Sequence, residues 1–316
     1  MMVCLKDCAR MPVARFTRAA AVALVLLAAL TSGCSIRSYA VNRAGDALAA
    51  SGSGFGADDD PELIRAAAPF SLKLMESILA EAPRHAGLLA AASSGFTQYS
   101  FAFVQADADE VEGRDVAAAR ALRTRARALY YRARDYGLRA LEVQHPGFRA
   151  ELEAEPAPAL AQLTREDSVP LYWATIAWAA AIALSKDSPS AIAGLRTVDR
   201  MVERLRDLDP DMGHGALHAF LISYEMGRPG ARSAETRARS HFEQAVRLSA
   251  GQKAGPYVAY AESVCVALQN RREFVSMLEH ATAIDPAARP EWRLENAVMQ
   301  RRARWLQTQA DQLFLN

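Results

Sequence analysis

The stretch Ala140-Leu141-Glu142-Val143-Gln144-His145-Pro146 decides the fold, because it closes an apolar-periodic segment with a proline. The same kind of ending returns at residues 205–210, which close on Pro210, and at residues 280–286, which close on Pro286. A looser version stands before Pro83. Proline cannot continue a helix, because it lacks the backbone N–H and clashes with the preceding turn. Each ending therefore predicts the end of one helix and, after it, the start of another.

The spacing of these four prolines indicates a repeat. Successive prolines lie 63, 64 and 76 residues apart, and two tetratricopeptide (TPR) units of about 34 residues each would give a similar interval. The Trp and Gly-Tyr positions of that repeat are poorly kept, so the array is degenerate. We predict an all-α fold of about ten helices, arranged as TPR-like helical hairpins of the α-solenoid type. Such a stack buries one continuous core and leaves a concave face for ligands.

Helical periodicity continues between these endings. Steps of 4, 4, 3 and 4 residues separate the members of one apolar stripe, which are Leu88, Ala92, Phe96, Tyr99 and Phe103. A second stripe, with steps of 3, 4 and 3, consists of Leu195, Val198, Val202 and Leu205. The segment Leu171–Leu184 is apolar on nearly all sides, which predicts a central, buried helix. No run alternates with period two, so no strand is expected.

The N-terminal segment has the pattern of a lipoprotein signal. Arg10, Arg15 and Arg18 precede an apolar run of 12 residues, Ala19–Leu30, and the small residues after it lead directly to Cys34. A run of that length suits a signal-peptide core and is too short to span a bilayer as a helix. We predict cleavage before the cysteine and acylation of its thiol. The alternative is an ordinary secretory signal with a chance cysteine, and the segment is processed in either case.

Lipidation would fix where the mature chain works. A single acyl chain holds a protein only marginally, whereas the two or three chains of a bacterial lipoprotein anchor it effectively permanently. The anchored body would face the periplasm, and Ser35 in place of Asp favours the outer over the inner membrane. Cys4 and Cys8 would leave with the signal, and translation could start at Met1 or at Met11.

The mature chain divides into two regions on this interpretation. Residues 34–57 would hold the lipidated cysteine, a short helix over 38–49 and a flexible stretch over 51–56 that is rich in Gly and Ser. Asp60 can cap a new helix and Pro61 suits its first position. Residues 58–316 would then form the helical domain, in which Cys265 is expected as a small buried hydrophobic residue.

Charge argues against nucleic acid as a partner. The whole chain carries +1 and the predicted signal +3, so the mature chain is near −2; a nucleic-acid-binding protein would show a clear basic excess. One basic region stands out, because Arg114–Arg139 holds eight arginines. They are interleaved and preceded by acidic residues, which is typical of a solvated helix face with intrahelical ion pairs. A docking patch for an acidic partner is the alternative.

No motif for catalysis or for a cofactor stands out. Gly52-x-Gly54-x-Gly56 superficially resembles a phosphate loop, but no strand precedes it and three aspartates follow. His214 and His218 are four residues apart on a predicted helix with Glu225 on the same face, a spacing that can bind zinc. The metalloprotease motif needs Glu beside the first His, and Gly215 stands there. We therefore predict a protein that is not an enzyme and holds neither metal nor cofactor.

Aromatic residues are concentrated in two neighbouring segments, at Phe96, Tyr99, Phe101, Phe103, Tyr130, Tyr131 and Tyr136. Core packing explains most of them. Phe101, however, leaves the stripe of Phe96, Tyr99 and Phe103, so one helix face cannot account for all four. The side chain of Phe101 must meet another helix, a ligand or a second subunit.

Four stretches carry a resemblance to a known family: Ser38–Leu48, Asp58–Arg65, Pro69–Glu76 and Ser94–Gln105. Together with the lipoprotein cysteine and the helical repeats, they resemble the T component associated with TRAP transporters (TatT). The resemblance covers essentially the mature chain and is densest from Ser38 to Glu110.

That resemblance implies a lipid-anchored periplasmic repeat protein without catalytic activity. It would work beside the solute-binding subunit of a TRAP-type transporter, which moves organic acids and other small, often hydrophobic, ligands. It also implies a homo-oligomer, with a trimer favoured. The residues we assign to a partner or ligand surface are Phe101, Gln105, Gln98, Tyr131 and Tyr136. Two alternatives remain open, namely an envelope scaffold that uses its repeats only for protein contacts, and an envelope hydrolase.

Overall fold

The computed structural model describes residues 39–50, 55–228, 230 and 232–315. These residues form helices and contain no strand, which confirms the predicted all-α class. The predicted signal peptide, the lipidation site Cys34 and residues 51–54 of the predicted linker lie outside the described residues. The chain divides between Ala44 and Gly45 into two units. Residues 39–44 of the first unit are helical, and the second unit holds the packed helical array.

The helices follow one another closely in sequence. In order they are α1 (residues 39–50), α2 (Pro61–Glu81), α3 (Ala86–Tyr99), α4 (Ala106–Glu112), α5 (Val116–Gln144), α6 (Phe148–Ala154), α7 (Pro156–Ala161), α8 (Ser168–Ala183), α9 (Pro189–Ala193), α10 (Leu195–Leu208), α11 (Met212–Gly227), α12 (Ala234–Leu248), α13 (Gly255–Tyr260), α14 (Arg271–Ala283), α15 (Arg293–Thr308) and α16 (Ala310–Leu313). Short 3-10 turns cover Arg165–Asp167, Pro286–Ala288 and Pro290–Trp292.

Two π-helical segments interrupt this series. The first π segment, Ser100–Gln105, joins α3 to α4, and the second π segment, Ala261–Cys265, follows α13. The flanking residues keep right-handed helical angles in both places, so each π segment is a local widening inside one continuous helix. Such widenings are rare and occur frequently at functional sites.

Helix ends lie where the sequence predicts them. The Asp60 carboxylate accepts the N–H groups of Glu62 and Leu63 at 3.0 Å, with Pro61 at the first helical position of α2. This satisfies backbone donors that a helix start leaves unpaired. Helices α5, α10 and α14 end one to three residues before a proline, because that residue cannot continue the hydrogen-bond ladder.

The centre of the array is α5, which packs against both α3 and α8. The three helices meet at Gly137, where a Cβ atom would lie 2.8 Å from the Ala174 Cβ and 2.9 Å from the Ser93 Oγ. Only glycine permits this approach, so Gly137 sets the spacing of the three axes. As predicted, the apolar helix α8 is central, since it also packs against α10. At 29 residues, α5 is longer than a helix of the predicted hairpin repeat, because no proline interrupts it between residues 116 and 144.

The second half of the domain packs in sequential pairs, α11 with α12, α13 with α14 and α14 with α15. Its core includes the fully buried Tyr260, Phe274 and Leu278. Near its start, α11 bends because Gly213, His214 and Gly215 have left-handed backbone angles. A Cβ on Gly215 would lie 3.0 Å from the Ala245 Cα, so the glycine lets α12 pass closely over the bend.

The last long helix, α15, contacts residues near the start of the domain. Helix α15 contacts α2, and Arg301 on α15 donates to Glu62 at 2.7 Å and to Glu110 at 3.2 Å. Its neighbour Arg302 forms an ion pair with Asp109 at 2.9 Å and bonds Glu262 in the second π segment. The last long helix is thereby tied to the first helices of the same domain.

Candidate functional site

An open groove of about 550 Å³ lies between α5, α8 and the segment of residues 185–194. Its lining is polar and aromatic, and includes Thr124, Arg127, Tyr131, Arg134, Trp178 and Ser188. The lining contains no aspartate or glutamate. The groove is open to solvent, and it brings guanidinium and hydroxyl groups together beside two aromatic rings.

Arg134 is held in a fixed position at this groove. Its guanidinium lies 4.9 Å from the ring centre of Tyr131 and 5.0 Å from that of Trp178. Its Nε and Nη2 atoms donate to Asp135 Oδ1 at 3.0 and 2.8 Å. Cation–π contact with two rings and a charge-assisted hydrogen bond together restrict the side chain. One charge of the groove is therefore already partly neutralised.

Arg127 differs from Arg123 and Arg132 on the same helix, which have acidic partners. Arg123 pairs with Asp109 at 3.1 Å, and Arg132 lies 3.4 Å from Glu76. Arg127 is half-buried at the groove and makes no hydrogen bond or ion pair with any residue that the structure describes. The ion pairs of Arg123 and Arg132 run to other helices and not along α5 as the sequence predicts, and the groove holds an arginine without a counter-charge.

The side of the groove opposite α5 depends on a glycine. A Cβ on Gly194 would lie 2.9 Å from the Trp178 Nε1 atom, so the loop reaches the indole only because residue 194 has no side chain. The indole N–H makes no hydrogen bond with the described chain. The all-round apolar segment 171–184 predicts that Trp178 is buried in the core. The structure places it half-buried at the groove.

The first π segment separates exposed from buried aromatic residues. Phe101 is 47% exposed, whereas Phe96 and Phe103 are 3% and 5% exposed. Tyr99, the remaining member of the predicted stripe, is half-buried, and its ring lies tilted against that of Phe103 with ring centres 5.7 Å apart. Phe101 is therefore partly exposed to solvent, whereas Phe96 and Phe103 on the same continuous helix are packed in the core.

The other residues assigned to a partner surface lie in different environments. Gln98 is exposed and donates to Ser94 Oγ at 2.7 Å. The Gln105 Oε1 atom accepts the hydroxyl of the buried Tyr130 at 2.8 Å. Tyr131 lines the groove. Their common use by a partner stays a prediction.

Tyr136, the last of that set, belongs to a polar cluster beside the core. It stacks on Phe96 with ring centres 5.8 Å apart and donates to Glu76 Oε1 at 2.9 Å. Burial, followed by this hydrogen bond to a carboxylate, raises the pKa of Tyr136 to about 12. Burial opposes ionisation of Glu76, but hydrogen bonds from Lys73 and Tyr136 and the charge of Arg132 lower its pKa overall.

The predicted helical alignment of His214 with His218 is wrong. The left-handed angles at residues 213–215 take His214 out of the helix, and its ring lies 5.3 Å from that of Trp292. His218 instead contacts His241, with 2.9 Å between their Nδ1 atoms. Burial and then the nearby His218 lower the pKa of His241 to about 4. Glu225 accepts from Arg237 Nε at 2.9 Å.

Within the described residues, no group of three His, Cys, Asp or Glu side chains is placed to hold a metal ion. Cys265 is fully buried, as predicted, and burial raises the pKa of its thiol to about 12. A thiol in that environment remains protonated and unreactive.

The described residues define an all-α helical array. The comparison with protein families places the chain more narrowly. It belongs to the TRAP transporter T-component family, whose sequence model matches residues 57–314. The resemblance noted in the sequence is thereby confirmed. The chain is an accessory component associated with TRAP transporters, and membership indicates a place in the cell envelope.

One relative is similar over most of its length. An uncharacterised protein of Treponema pallidum (strain Nichols) is 30% identical over 306 residues, covering 91% of this chain and 95% of the relative.

Among the described residues, no helix combines the length and apolar character that a membrane crossing needs.

Proposed function

We propose that this chain is a lipid-anchored periplasmic accessory protein that binds the solute-binding subunit of a TRAP-type transporter. The observation that carries the proposal is the family match over residues 57–314, which spans nearly the whole helical domain. A helical array suits this role, because it offers extended surfaces for a protein partner. The relay of a small hydrophobic or organic-acid ligand between partner and transporter is the second half of the proposal.

The anchor follows from the sequence pattern that ends at Cys34. Acylation there would hold the domain at the envelope surface, with the outer membrane favoured by Ser35. Replacing Cys34 with Ala should leave the precursor uncleaved by lipoprotein signal peptidase and without acyl label. A variant that matures and incorporates labelled fatty acid normally would refute the anchor while leaving the partner proposal intact.

The contact surface that we propose for the solute-binding subunit is centred on Phe101. This residue is a large aromatic side chain, 47% exposed, on a π-helical segment. Association between proteins depends on a few such aromatic anchors surrounded by polar groups. Gln98 lies one helical turn before it and supplies an exposed amide. Self-association, with a trimer favoured, is part of the same proposal, and analytical ultracentrifugation of the detergent-solubilised chain tests it.

A binding titration with a matched control tests the surface. Phe101→Ala should weaken binding of the solute-binding subunit about tenfold or more, since truncating a central aromatic anchor costs about 2 kcal/mol. The control is Phe70→Ala on α2, which removes an equally large side chain that is 73% exposed. Phe70→Ala should leave the affinity unchanged. Equal losses for the two variants, or loss only for Phe70→Ala, would place the interface elsewhere.

A further inference from the structure

The groove between α5 and α8 contains a positive charge that nothing in the described chain neutralises. Arg127 is half-buried there and has neither a hydrogen bond nor an ion pair among the described residues, and no acidic side chain lines the groove. The guanidinium group stays charged at every physiological pH. Taking a charge partly out of water is unfavourable unless a partner of opposite charge offsets it. The charge of Arg127 therefore has no counter-charge in the groove from the described chain.

We propose that this groove binds a small aromatic anion, whose acidic head group pairs with Arg127 and whose ring lies against Tyr131 and Trp178. A planar guanidinium matches the two oxygens of a carboxylate or a phosphate and can hold either one bidentately. Both head groups satisfy the same charge, so the carboxylate and the phosphate form of the ligand are tested separately. No bond is made or broken. The inference concerns the groove alone and holds with or without a transporter partner.

The rings give the site its preference for an aromatic ligand. Tyr131 and Trp178 are already positioned by the guanidinium of Arg134, at 4.9 and 5.0 Å from its central carbon. Arg134 donates through Nε and Nη2 to Asp135, and its Nη1 makes no hydrogen bond with the described chain. That nitrogen remains able to donate to the same head group. A flat ligand completes the stack, because offset stacking and cation–π contact both favour planar partners.

Hydrogen-bond donors complete the lining. The indole N–H of Trp178 is unpaired in the described chain, and the hydroxyls of Thr124 and Ser188 also line the groove. Ser188 Oγ already shares a hydrogen bond of 3.0 Å with Ser190 Oγ. The volume of about 550 Å³ falls within the range of about 300–1,000 Å³ that small-molecule sites occupy. A bare inorganic ion would leave the aromatic part of that space unfilled.

Calorimetric titration of the purified full-length chain tests the site with four probes. Benzoate and phenyl phosphate are the two aromatic anions, benzyl alcohol is the neutral analogue, and inorganic phosphate has a head group without a ring. We expect benzoate or phenyl phosphate to bind at least tenfold more tightly than benzyl alcohol, and the tighter of the two identifies the head group. Higher salt should weaken that binding, because the site is partly exposed to solvent.

Two arginine variants on the same helix separate the site from general charge. Arg127→Gln should weaken binding of the preferred anion at least tenfold, with no fall in melting temperature because the native side chain has no partner to lose. Arg120→Gln is the matched control, since Arg120 is exposed on α5 and does not line the groove. It should change the affinity less than twofold. Absence of binding by both aromatic anions would overturn the proposal, as would equal losses in the two variants or equal affinity for inorganic phosphate.

Discussion

The two π segments share a local backbone geometry but differ in the side chain that they leave outside the core. The first π segment turns Phe101 to the surface while burying Phe103 and Val104. In the second π segment, Ala261, Val264 and Cys265 are all fully buried. A π turn adds one residue to a helical turn, so it rotates every later side chain relative to the helix before it. Both segments bury their first, fourth and fifth residues, and they differ at the second, where Phe101 is exposed and Glu262 is half-buried.

The surroundings explain this difference. The second π segment lies among α11, α13 and α14, which pack against it on several sides. The first π segment packs against α5. Phe101 is 47% exposed there, so the described helices leave this side chain partly uncovered. Whether a side chain of a π segment is buried or exposed therefore depends on how many neighbouring helices pack against it. Four substitutions test this contrast, from the largest expected change in stability to the smallest.

The largest effect should come from the packed face beside the first π segment. Phe96→Ala removes a side chain that is 3% exposed and stacks on Tyr136. Truncating a buried phenylalanine costs about 3–5 kcal/mol, because it leaves a cavity as well as losing burial. Urea unfolding monitored by circular dichroism should show a loss of that size. A loss below about 1 kcal/mol would mean that this face is not packed as described.

A smaller loss should follow from disconnecting the two π segments. Arg302 bonds both Asp109, just after the first, and Glu262, within the second. Its side chain is 15% exposed, and Arg302→Ala would leave Glu262 without its donor, while Asp109 would keep only its bond from Arg123. Losing hydrogen bonds to charged groups costs about 2–3 kcal/mol in unfolding free energy. Arg304→Ala is the control, since Arg304 is exposed on the same helix, and equal melting temperatures for the two variants would contradict the prediction.

Replacing the buried sulfur atom of Cys265 tests whether the second π segment is enclosed. Cys265→Ser replaces a fully buried thiol by a hydroxyl of nearly the same size. Burial of an unpaired hydroxyl costs about 1–3 kcal/mol in proteins. Cys265→Ala removes the sulfur without adding a polar group and should be the less damaging of the pair. If the serine variant unfolds at the same urea concentration as wild type, the second π segment is open to water.

The smallest effect belongs to the exposed residue of the first π segment. Phe101→Ala should change the unfolding free energy by less than about 0.5 kcal/mol, as surface substitutions do. A thermal melt beside Phe96→Ala gives the direct comparison. A drop for Phe101→Ala as large as that for Phe96→Ala would show that both residues belong to the core and would remove the contrast between the two π segments.

The amino-acid sequence predicts the buried side of each helix well, because burial follows the spacing of apolar residues. Leu88, Ala92, Phe96 and Phe103 are buried as their steps of three and four indicate. The same steps cannot reveal a π turn, since one extra residue leaves a pattern that still resembles a helix. The departure of Phe101 from the stripe indicates that its side chain points elsewhere, but it does not indicate the π geometry.

Apolar spacing predicts neither the bend that separates His214 from His218 nor the position of the groove. The bend at His214 had a local signal, because glycines flank it on both sides, and left-handed angles are easiest for glycine. The groove had no comparable signal. It requires the contact of Trp178 with the loop at Gly194 and the position of both beside α5. Those contacts depend on how distant helices pack, which periodicity does not contain.

Helix α15 forms ion pairs with residues near the beginning of the same domain. In a linear array, each repeat touches only its neighbours, and the two terminal repeats are the natural places for fraying. Here Arg301 pairs with residues that are 191 and 239 positions away, so α15 is linked to α2 and α4 as well as to its neighbours in sequence. Amide hydrogens of α2 and α15 should therefore exchange with solvent as slowly as those in the middle of the domain, rather than as the frayed ends of a line.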